Sequence, residues 1–423
     1  MDIIEELRWR GAIFDSTPGV EDMLGGEKTT VYVGFDPTAR SLHVGNLVPI
    51  MGLVRMQRHG HSPIAIAGAG TGMIGDPSGR DDERQLLTVE QIDDNVENVK
   101  LQLAHFLDFD VKSNPARVIN NADWLRKIGM TDFLRDVGKH FTVNYMLSKE
   151  SVAARMTREH GISYTEFSYM LLQAYDYLVL HDDYGCNLQM GGSDQWGNIL
   201  AGVELIRRAR GHQVHALSYP LITTASGAKF GKSVGGAPTL DPEETSPYRF
   251  YQYWINVDDA DVIQYMKLFT LFEPDQIAEF EGAVASEPQK REAQRSLART
   301  VTEMVHGSNG VSTAQRATDV LFGGEMDGFS AAELLDIFAD VPSEELDRSL
   351  IKDDGLPMAQ LLTHSGAAKS NGEARRLIEG GGVYLNNVRV SDARGLVTLE
   401  GAIDGQIIVL RRGARNYFML RIV

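Results

Sequence analysis

Val31-Tyr32-Val33-Gly34-Phe35 is a five-residue run without a charge that leads into a polar turn and then into an amphipathic stretch, Leu47 to Arg58. In that stretch Leu47, Ile50, Met51 and Val54 recur at helical spacing. A strand that is apolar on both faces needs cover on both, and a helix that follows it directly supplies one cover. The pattern repeats: Pro63-Ile64-Ala65-Ile66-Ala67 reads as the next strand, Leu101 to Leu107 as a helix, and Arg117-Val118-Ile119 as a short strand. Strand, helix and strand at this spacing predict an α/β fold with a parallel sheet and right-handed crossovers. The ligand crevice of such a sheet lies at the carboxyl ends of its strands.

The chain has 423 residues, which calls for two or three domains. From about residue 245 the strand signal fades. Phe250 to Trp254, Val262 to Phe272 and the Ala/Gln/Glu/Arg-rich segment 273–307 all read as helical. Residues 323–355 are acidic and Gly-punctuated, as in a linker with one or two short helices. From residue 356 the chain resets as a small α+β module, whose hairpin turns at Asn386-Asn387, residues that tolerate positive φ. The expected division is therefore a catalytic domain over 1–222, a Lys-rich loop with a helical domain over 223–322, the linker 323–355, and the module 356–423.

Charge separates these parts. The formal net charge is −17, which argues against non-specific coating of nucleic acid. Residues 357–423, however, hold nine Lys/Arg against five Asp/Glu, so a +4 tail is joined to a −21 body, and a localised anionic partner is expected. Cys186 is the only cysteine, so no intrachain disulfide and no cysteine-built zinc site can form. The eleven histidines show no His-Glu-x-x-His spacing, and no resident metal site is expected. No apolar run reaches membrane-spanning length, and a reduced cytoplasmic setting is expected.

Several segments carry candidate chemistry. His43-Val44-Gly45-Asn46 lies at a strand-to-helix transition, where backbone N–H groups suit phosphate, and Asp36 and Thr38 add polar groups on the same turn. A capped helix start with an incidental histidine is the alternative. Lys229-Phe230-Gly231-Lys232-Ser233 has Gly neighbours that permit movement and two cations that can meet phosphates; a solvated basic turn is the alternative. Gly70-Thr71-Gly72-Met73-Ile74-Gly75 matches a dinucleotide fingerprint, but Asp76-Pro77 follows where a phosphate-binding helix should already run. A Gly-rich loop presenting Asp76 to a pocket, or a plain turn, fits better. Tyr169, Gln173 and Asp176 fall on one face of a helix, where a polar set among apolar residues is costly unless it meets a ligand or forms a buried network. Gly191-Gly192-Ser193-Asp194-Gln195 follows the apolar segment Leu188-Gln189-Met190, and Asp194 could hold ribose hydroxyls there; an ordinary Gly-Ser-Asp turn is the alternative. Basic clusters at Lys149, Arg155, Arg158 and at Arg207, Arg208, Arg210 are solvated helix faces or an RNA-backbone contact. Together, the His43 turn and the Lys229–Ser233 segment point to ATP-dependent activation of a carboxylate.

These motifs, in this order, resemble those of bacterial tyrosyl-tRNA synthetases, which are class I aminoacyl-tRNA synthetases. The matching segments are Tyr32 to Thr38, His43 to Asn46, Ile74 to Gly79, Tyr164 to Asp176, Gly191 to Asn198 and Lys229 to Ser233, with a ribosomal-protein-like RNA-binding module over Ser370 to Ile378 and Val383 to Val390. The resemblance implies a Rossmann-like catalytic domain, L-tyrosine, ATP with Mg²⁺ and tRNA(Tyr) as partners, and a homodimer. It implies that Tyr32 and Asp176 bracket the substrate phenol, that Tyr169, Gln173 and Asp76 hold its ammonium, and that Gln195 faces its carboxylate. It places Thr38 and His43 at the phosphates, Asp36, Gly45 and Gly192 around the nucleotide, Asp194 at the ribose, and Lys229, Lys232 and Ser233 over the pyrophosphate. Asn46 stands where the family usually has histidine, so this position carries no charge. Tryptophan activation, or small-molecule nucleotidyl transfer on the same fold, is the alternative.

Overall fold

The computed structural model describes residues 1–78, 87–157, 161–225, 227, 230–231, 236–339, 341–351, 355–413 and 416–423. Contacts divide the chain into two compact units: residues 1–245 with 253–305, and residues 246–252 with 306–423. This grouping assigns the expected helical domain partly to each unit. The long helix Glu292–Val320 spans the division and is interrupted there by Gly307, at φ 70° and ψ 178°.

The first unit is built on a six-stranded sheet of β1 (Asp15–Ser16), β2 (Thr30–Phe35), β3 (Ser62–Ala67), β4 (Arg117–Asn120), β5 (Cys186–Gly192) and β6 (His215–Tyr219). The order is β1-β6-β5-β2-β3-β4, with β1 antiparallel and the rest parallel. The chain runs outward from β2 through β3 and β4, then returns to β5 on the other side of β2. The order therefore reverses at the β2/β5 pair, and a crevice opens above it. Its helices follow the apolar periodicity. Leu47–Arg58 buries Leu47, Ile50, Met51, Leu53, Val54 and Met56, and Pro49 sits in the first turn, where its missing N–H costs nothing.

Ser163 caps the helix Tyr164–Tyr184 through the N–H of Glu166, and Gly185 ends it in the left-handed region at φ 62°. This helix packs on Trp196–Arg210, where Gly202 is required by contact: a Cβ there would lie 2.8 Å from the Tyr177 ring. One helix falls elsewhere than its periodicity suggested. Leu101–Leu107 catches only the end of Val89–Leu103, whose buried positions are Ile92, Val96, Val99 and Leu103.

The second unit carries β7 (Ser343–Leu346), β8 (Leu356–Pro357), β9 (Val383–Leu385), β10 (Val388–Arg389), β11 (Leu396–Val397), β12 (Ile407–Arg412) and β13 (Asn416–Ile422). Five of them form a sheet in the order β10-β9-β12-β13-β7. The hairpin turn is as expected, with Asn386 at φ 46° and Asn387 at φ 62°. Segment 323–355 is more than a linker. It supplies the helix Ala331–Ile337 and strand β7, and its Met326, Phe329, Leu334 and Phe338 share a core with Ala317, Val320, Ile407, Val409, Tyr417 and Met419. Asn387 also caps the end of the long helix, donating from Nδ2 to the carbonyls of Val320 and Gly324 at 2.8 Å each.

Candidate active site

A cavity of about 520 Å³ opens at the carboxyl ends of the parallel strands. Thirteen expected site residues line it: Tyr32, Asp36, Thr38, His43, Gly45, Asn46, Asp76, Tyr169, Gln173, Asp176, Gly192, Asp194 and Gln195. The remaining three, Lys229, Lys232 and Ser233, lie outside the described residues. Among the described residues the lining holds four aspartates and no lysine or arginine.

At the floor, Tyr32 is 1 % exposed and its hydroxyl has no hydrogen-bond partner among the described residues. Burial, and then the nearby Asp176 charge, raise its phenol pKa well above the usual value. Asp176 is buried as well. Its Oδ1 accepts from Trp124 Nε1 at 2.7 Å and its Oδ2 from Asn121 Nδ2 at 2.9 Å. Burial pushes this carboxyl up to about 7, against the two donors, which hold it down. Gln189 Oε1, also buried at the lining, has no hydrogen-bond partner either. Asp176, the Tyr32 hydroxyl and the Gln189 amide oxygen all line the cavity, and a ligand hydroxyl could donate to one of them and accept from the phenol.

Above the floor, Tyr169 donates its hydroxyl to Asp36 Oδ2 at 2.8 Å, and Asp36 Oδ1 accepts from Thr71 Oγ1 at 2.7 Å. Asp36, expected among the nucleotide contacts, thus has both oxygens engaged in orienting Tyr169 and Thr71. Gly68 is needed for this, since a Cβ there would sit 2.3 Å from Asp36 Oδ1. Gln195 Nε2 donates to Asp76 Oδ2 at 2.5 Å, and Asn198 Nδ2 donates to Gln195 Oε1 at 3.1 Å. Asp194 has its pKa raised by burial and by Asp76.

At the mouth, His43 and Asn46 cap the helical turn Val44–Asn46, which leads into Leu47–Arg58. His43 N–H donates to Asn46 Oδ1, and Gly45 N–H donates to His43 Nδ1, both at 3.0 Å. Because Nδ1 accepts, the neutral ring carries its proton on Nε2, and burial lowers its pKa, which favours that neutral donor. Asn46 is therefore the residue that seats His43. Gly45, expected beside the nucleotide, is also required by its own turn: a Cβ would stand 2.8 Å from His43 Cε1. Residues 42–44 pair with 238–240, Val44 N–H donating to Pro238 O at 2.9 Å and Leu240 N–H to Leu42 O at 2.8 Å. The backbone just beyond the 229–233 segment is thereby joined to the His43 turn.

Residues 25–323 match the family model described as "tRNA synthetases class I (W and Y)", and residues 333–420 match the tyrosine–tRNA ligase SYY-like C-terminal domain. The chain is 55 % identical over 421 residues to a tyrosine–tRNA ligase of Roseiflexus castenholzii, covering 100 % of this chain and 99 % of that one. It is 49 % identical over 425 residues to a tyrosine–tRNA ligase of Opitutus terrae, with 100 % of both chains covered. The chain belongs to the bacterial tyrosine–tRNA ligases.

A solved structure of a C-terminally truncated Aspergillus nidulans mitochondrial tyrosyl-tRNA synthetase superposes with TM-score 0.69 at 28 % identity, covering 76 % of this chain and 94 % of that one. A Plasmodium falciparum tryptophanyl-tRNA synthetase, at 13 % identity and TM-score 0.52, covering 79 % of this chain and 87 % of its own, shares the fold alone. Within the tyrosine–tRNA ligase frame, Thr71, Asn121, Trp124 and Gln189 are site residues that motif reading passed over. Asn121 and Trp124 follow β4 directly, and position at the carboxyl end of a parallel strand was the available signal. Of the basic clusters, Lys149 lies over the Tyr145 ring, its Nζ 4.0 Å from the centroid, and four arginines are in ion pairs. Arg155 is buried and pairs through two nitrogens with Glu166 (2.8 and 3.3 Å), while Arg207 and Arg208 pair with Glu204 and Arg210 with Asp182. Arg155 is therefore unavailable to RNA, and Arg158 lies outside the described residues.

Proposed function

We propose that this ligase activates L-tyrosine with MgATP and passes it to tRNA(Tyr), using the residues of this cavity. The observation that carries the reading is the buried, partnerless Tyr32 hydroxyl beside Asp176. A phenol hydroxyl can donate to Asp176 and accept from Tyr32, whereas phenylalanine would leave both without a partner. Tryptophan has no hydroxyl to offer there, so the pair argues for tyrosine. Tyr169, Gln173 and Asp76 surround the ammonium, which their oxygens and the nearby Asp36 attract. Gln195 faces the carboxylate.

One carboxylate oxygen of tyrosine attacks the α-phosphorus of ATP in line. A P–O bond forms, the bond to the bridging oxygen of pyrophosphate breaks, and the electron pair leaves with pyrophosphate. The nucleophile is already ionised, so orientation and charge stabilisation carry the step. Thr38 and the His43 Nε2–H donate to the phosphates, Asn46 holds His43 in place, and Asp194 takes the ribose hydroxyls. Gly45 and Gly192 keep side chains off the nucleotide's path. Lys229, Lys232 and Ser233 meet the pyrophosphate as its charge grows. Mg²⁺ enters with the nucleotide, as part of the substrate. In the second step a hydroxyl of the tRNA 3′-terminal ribose attacks the tyrosyl carbonyl and AMP leaves.

Tyrosine-dependent exchange of pyrophosphate into ATP tests the reading; exchange driven by tryptophan and not by tyrosine would remove it. The titration of Asp176 gives a second check. Its ionised form is the full acceptor for the phenol, so binding is complete above about pH 7 and weakens as pH falls through that value. The tyrosine Kd, read by equilibrium dialysis, is expected to rise by up to about tenfold per pH unit below the transition.

The module over 356–423 is read as the tRNA contact. Lys369, Arg375 and Arg376 are exposed on or beside the helix Asn371–Glu379. Changing all three to alanine is expected to lower kcat/KM for tRNA charging by about tenfold at physiological salt while leaving exchange intact. A cytoplasmic homodimer completes the reading. Residues 130–164 expose Met130, Leu134, Val143, Leu147, Met156 and Tyr164, a density of apolar surface suited to a second copy. Sedimentation equilibrium checks this. No helix among the described residues is long and apolar enough to cross a membrane.

A further inference from the structure

Asp261 stands on the first turn of the helix Asp259–Phe269 and is 5 % exposed. Its Oδ1 accepts the backbone N–H of Ala225 at 2.8 Å. One turn along, the Tyr265 ring meets the Phe230 ring at a centroid distance of 5.1 Å. A further turn along, Phe269 stacks on the same ring at 5.0 Å and 20°. Positions 261, 265 and 269 form one stripe of the helix. That stripe holds residue 225 on one side of Lys229 and residue 230 on the other. Phe230 is secured further by its own N–H, which donates to Ile222 O at 2.9 Å, and by Trp254, whose ring lies 5.9 Å away.

The far end of the helix is gripped separately. Arg55, 2 % exposed, donates to the carbonyls of Lys267, Leu268 and Thr270 at 3.2, 2.6 and 3.1 Å. Arg10 donates to Lys267, Thr270 and Phe272 at 2.9, 3.3 and 3.0 Å. Cationic groups at a helix carboxyl end offset its partial negative charge. Arg55 belongs to Leu47–Arg58, the helix that begins at the His43 turn. Two helices joined through Arg55 thus connect the phosphate-side turn to the backbone flanking Lys229.

We propose that Asp261 is a positioning residue for adenylate formation: with Tyr265 and Phe269 it fixes the backbone on both sides of Lys229 at a set distance from the His43 turn. This rests on the reading of Lys229 and Lys232 as pyrophosphate ligands. Misplacement of a catalytic group by about 1 Å can cost about a hundredfold in rate, and the carboxylate supplies this placement without touching substrate.

The test compares Asp261→Leu, Asp261→Ala and Asp261→Asn in tyrosine-dependent exchange, alone and combined with Lys232→Ala. Losing the acceptor in the Leu and Ala variants is expected to lower kcat about 10- to 100-fold with the tyrosine Kd unchanged. Asparagine keeps an oxygen for Ala225 and is expected to return kcat to within about threefold of the parent. On the Lys232→Ala background the Asp261 substitutions are expected to add less than their separate loss, because both act on the segment that meets the pyrophosphate. Parental kcat in both the Leu and Ala variants, an Asn variant as slow as they are, or fully additive losses in the double variants would each overturn the proposal. A rise in tyrosine Kd matching the fall in rate would overturn it too, as would a rate loss accounted for by unfolded protein on thermal melting. Failure of the underlying reading shows separately, as a Lys232→Ala single variant with parental kcat.

Discussion

Asp176→Asn is expected to lower kcat/KM for tyrosine by about 10³-fold while hardly changing the slow use of phenylalanine. The magnitude follows from what the carboxylate accepts. Asn121 and Trp124 donate to its two oxygens, and the tyrosine hydroxyl adds a third donor. An asparagine offers one oxygen, and its NH₂ then faces a donor. Losing a charge-assisted bond and leaving a buried donor unpaired costs about 4 kcal/mol together, which is about 10³ in rate. Because phenylalanine makes no use of the carboxylate, discrimination should narrow by the same factor. Exchange assays with both amino acids decide the matter: equal losses would make Asp176 a folding residue only.

The second large effect is expected at Lys232. Lys232→Ala should slow adenylate formation by about 10²- to 10³-fold, the usual cost of removing one donor from a developing charge, with tyrosine affinity unchanged. The composition of the described lining agrees with this expectation. Thr38 and Asn46 are neutral, His43 is biased toward its neutral form, and the described lining has no lysine or arginine. Pyrophosphate leaves with more charge than it had in ATP, and under the proposed reading the 229–233 segment stabilises it together with Mg²⁺. Stopped-flow measurement separates the two parameters. A variant that binds tyrosine poorly yet reacts at the parental rate would remove Lys232 from the transition state.

Strands β2 and β3 were legible because they are mostly buried apolar runs, and β4, where only Ile119 is buried, because it follows them after a helix. The helix Tyr164–Tyr184 was legible because its polar residues share one face. Val89–Leu103 was harder: its outer face is nearly all Asp, Glu, Asn and Gln, and only four side chains on it are buried between residues 92 and 103. The thirteen cavity residues were legible as motif positions. Thr71, Asn121, Trp124 and Gln189 were not, because their roles exist only once β4, β5 and the helix Tyr164–Tyr184 meet. The seating of His43 by Asn46 is of the same kind, since the sequence shows an uncharged residue but not the backbone N–H it accepts. Segment 323–355 misled for a compositional reason: glycine and acidic residues hide the apolar positions Phe329, Leu334 and Phe338, which fill a core.

The four aspartates of the cavity also bear on the order in which substrates arrive. A pocket walled by carboxylates repels a polyanionic nucleotide and draws in a zwitterion by its ammonium end. Under the proposed reading, a seated tyrosine would set its ammonium among these carboxylates and cancel part of that field, so the amino acid is expected to act as a counter-ion as well as a reactant, and MgATP to bind the tyrosine complex more tightly than the free enzyme.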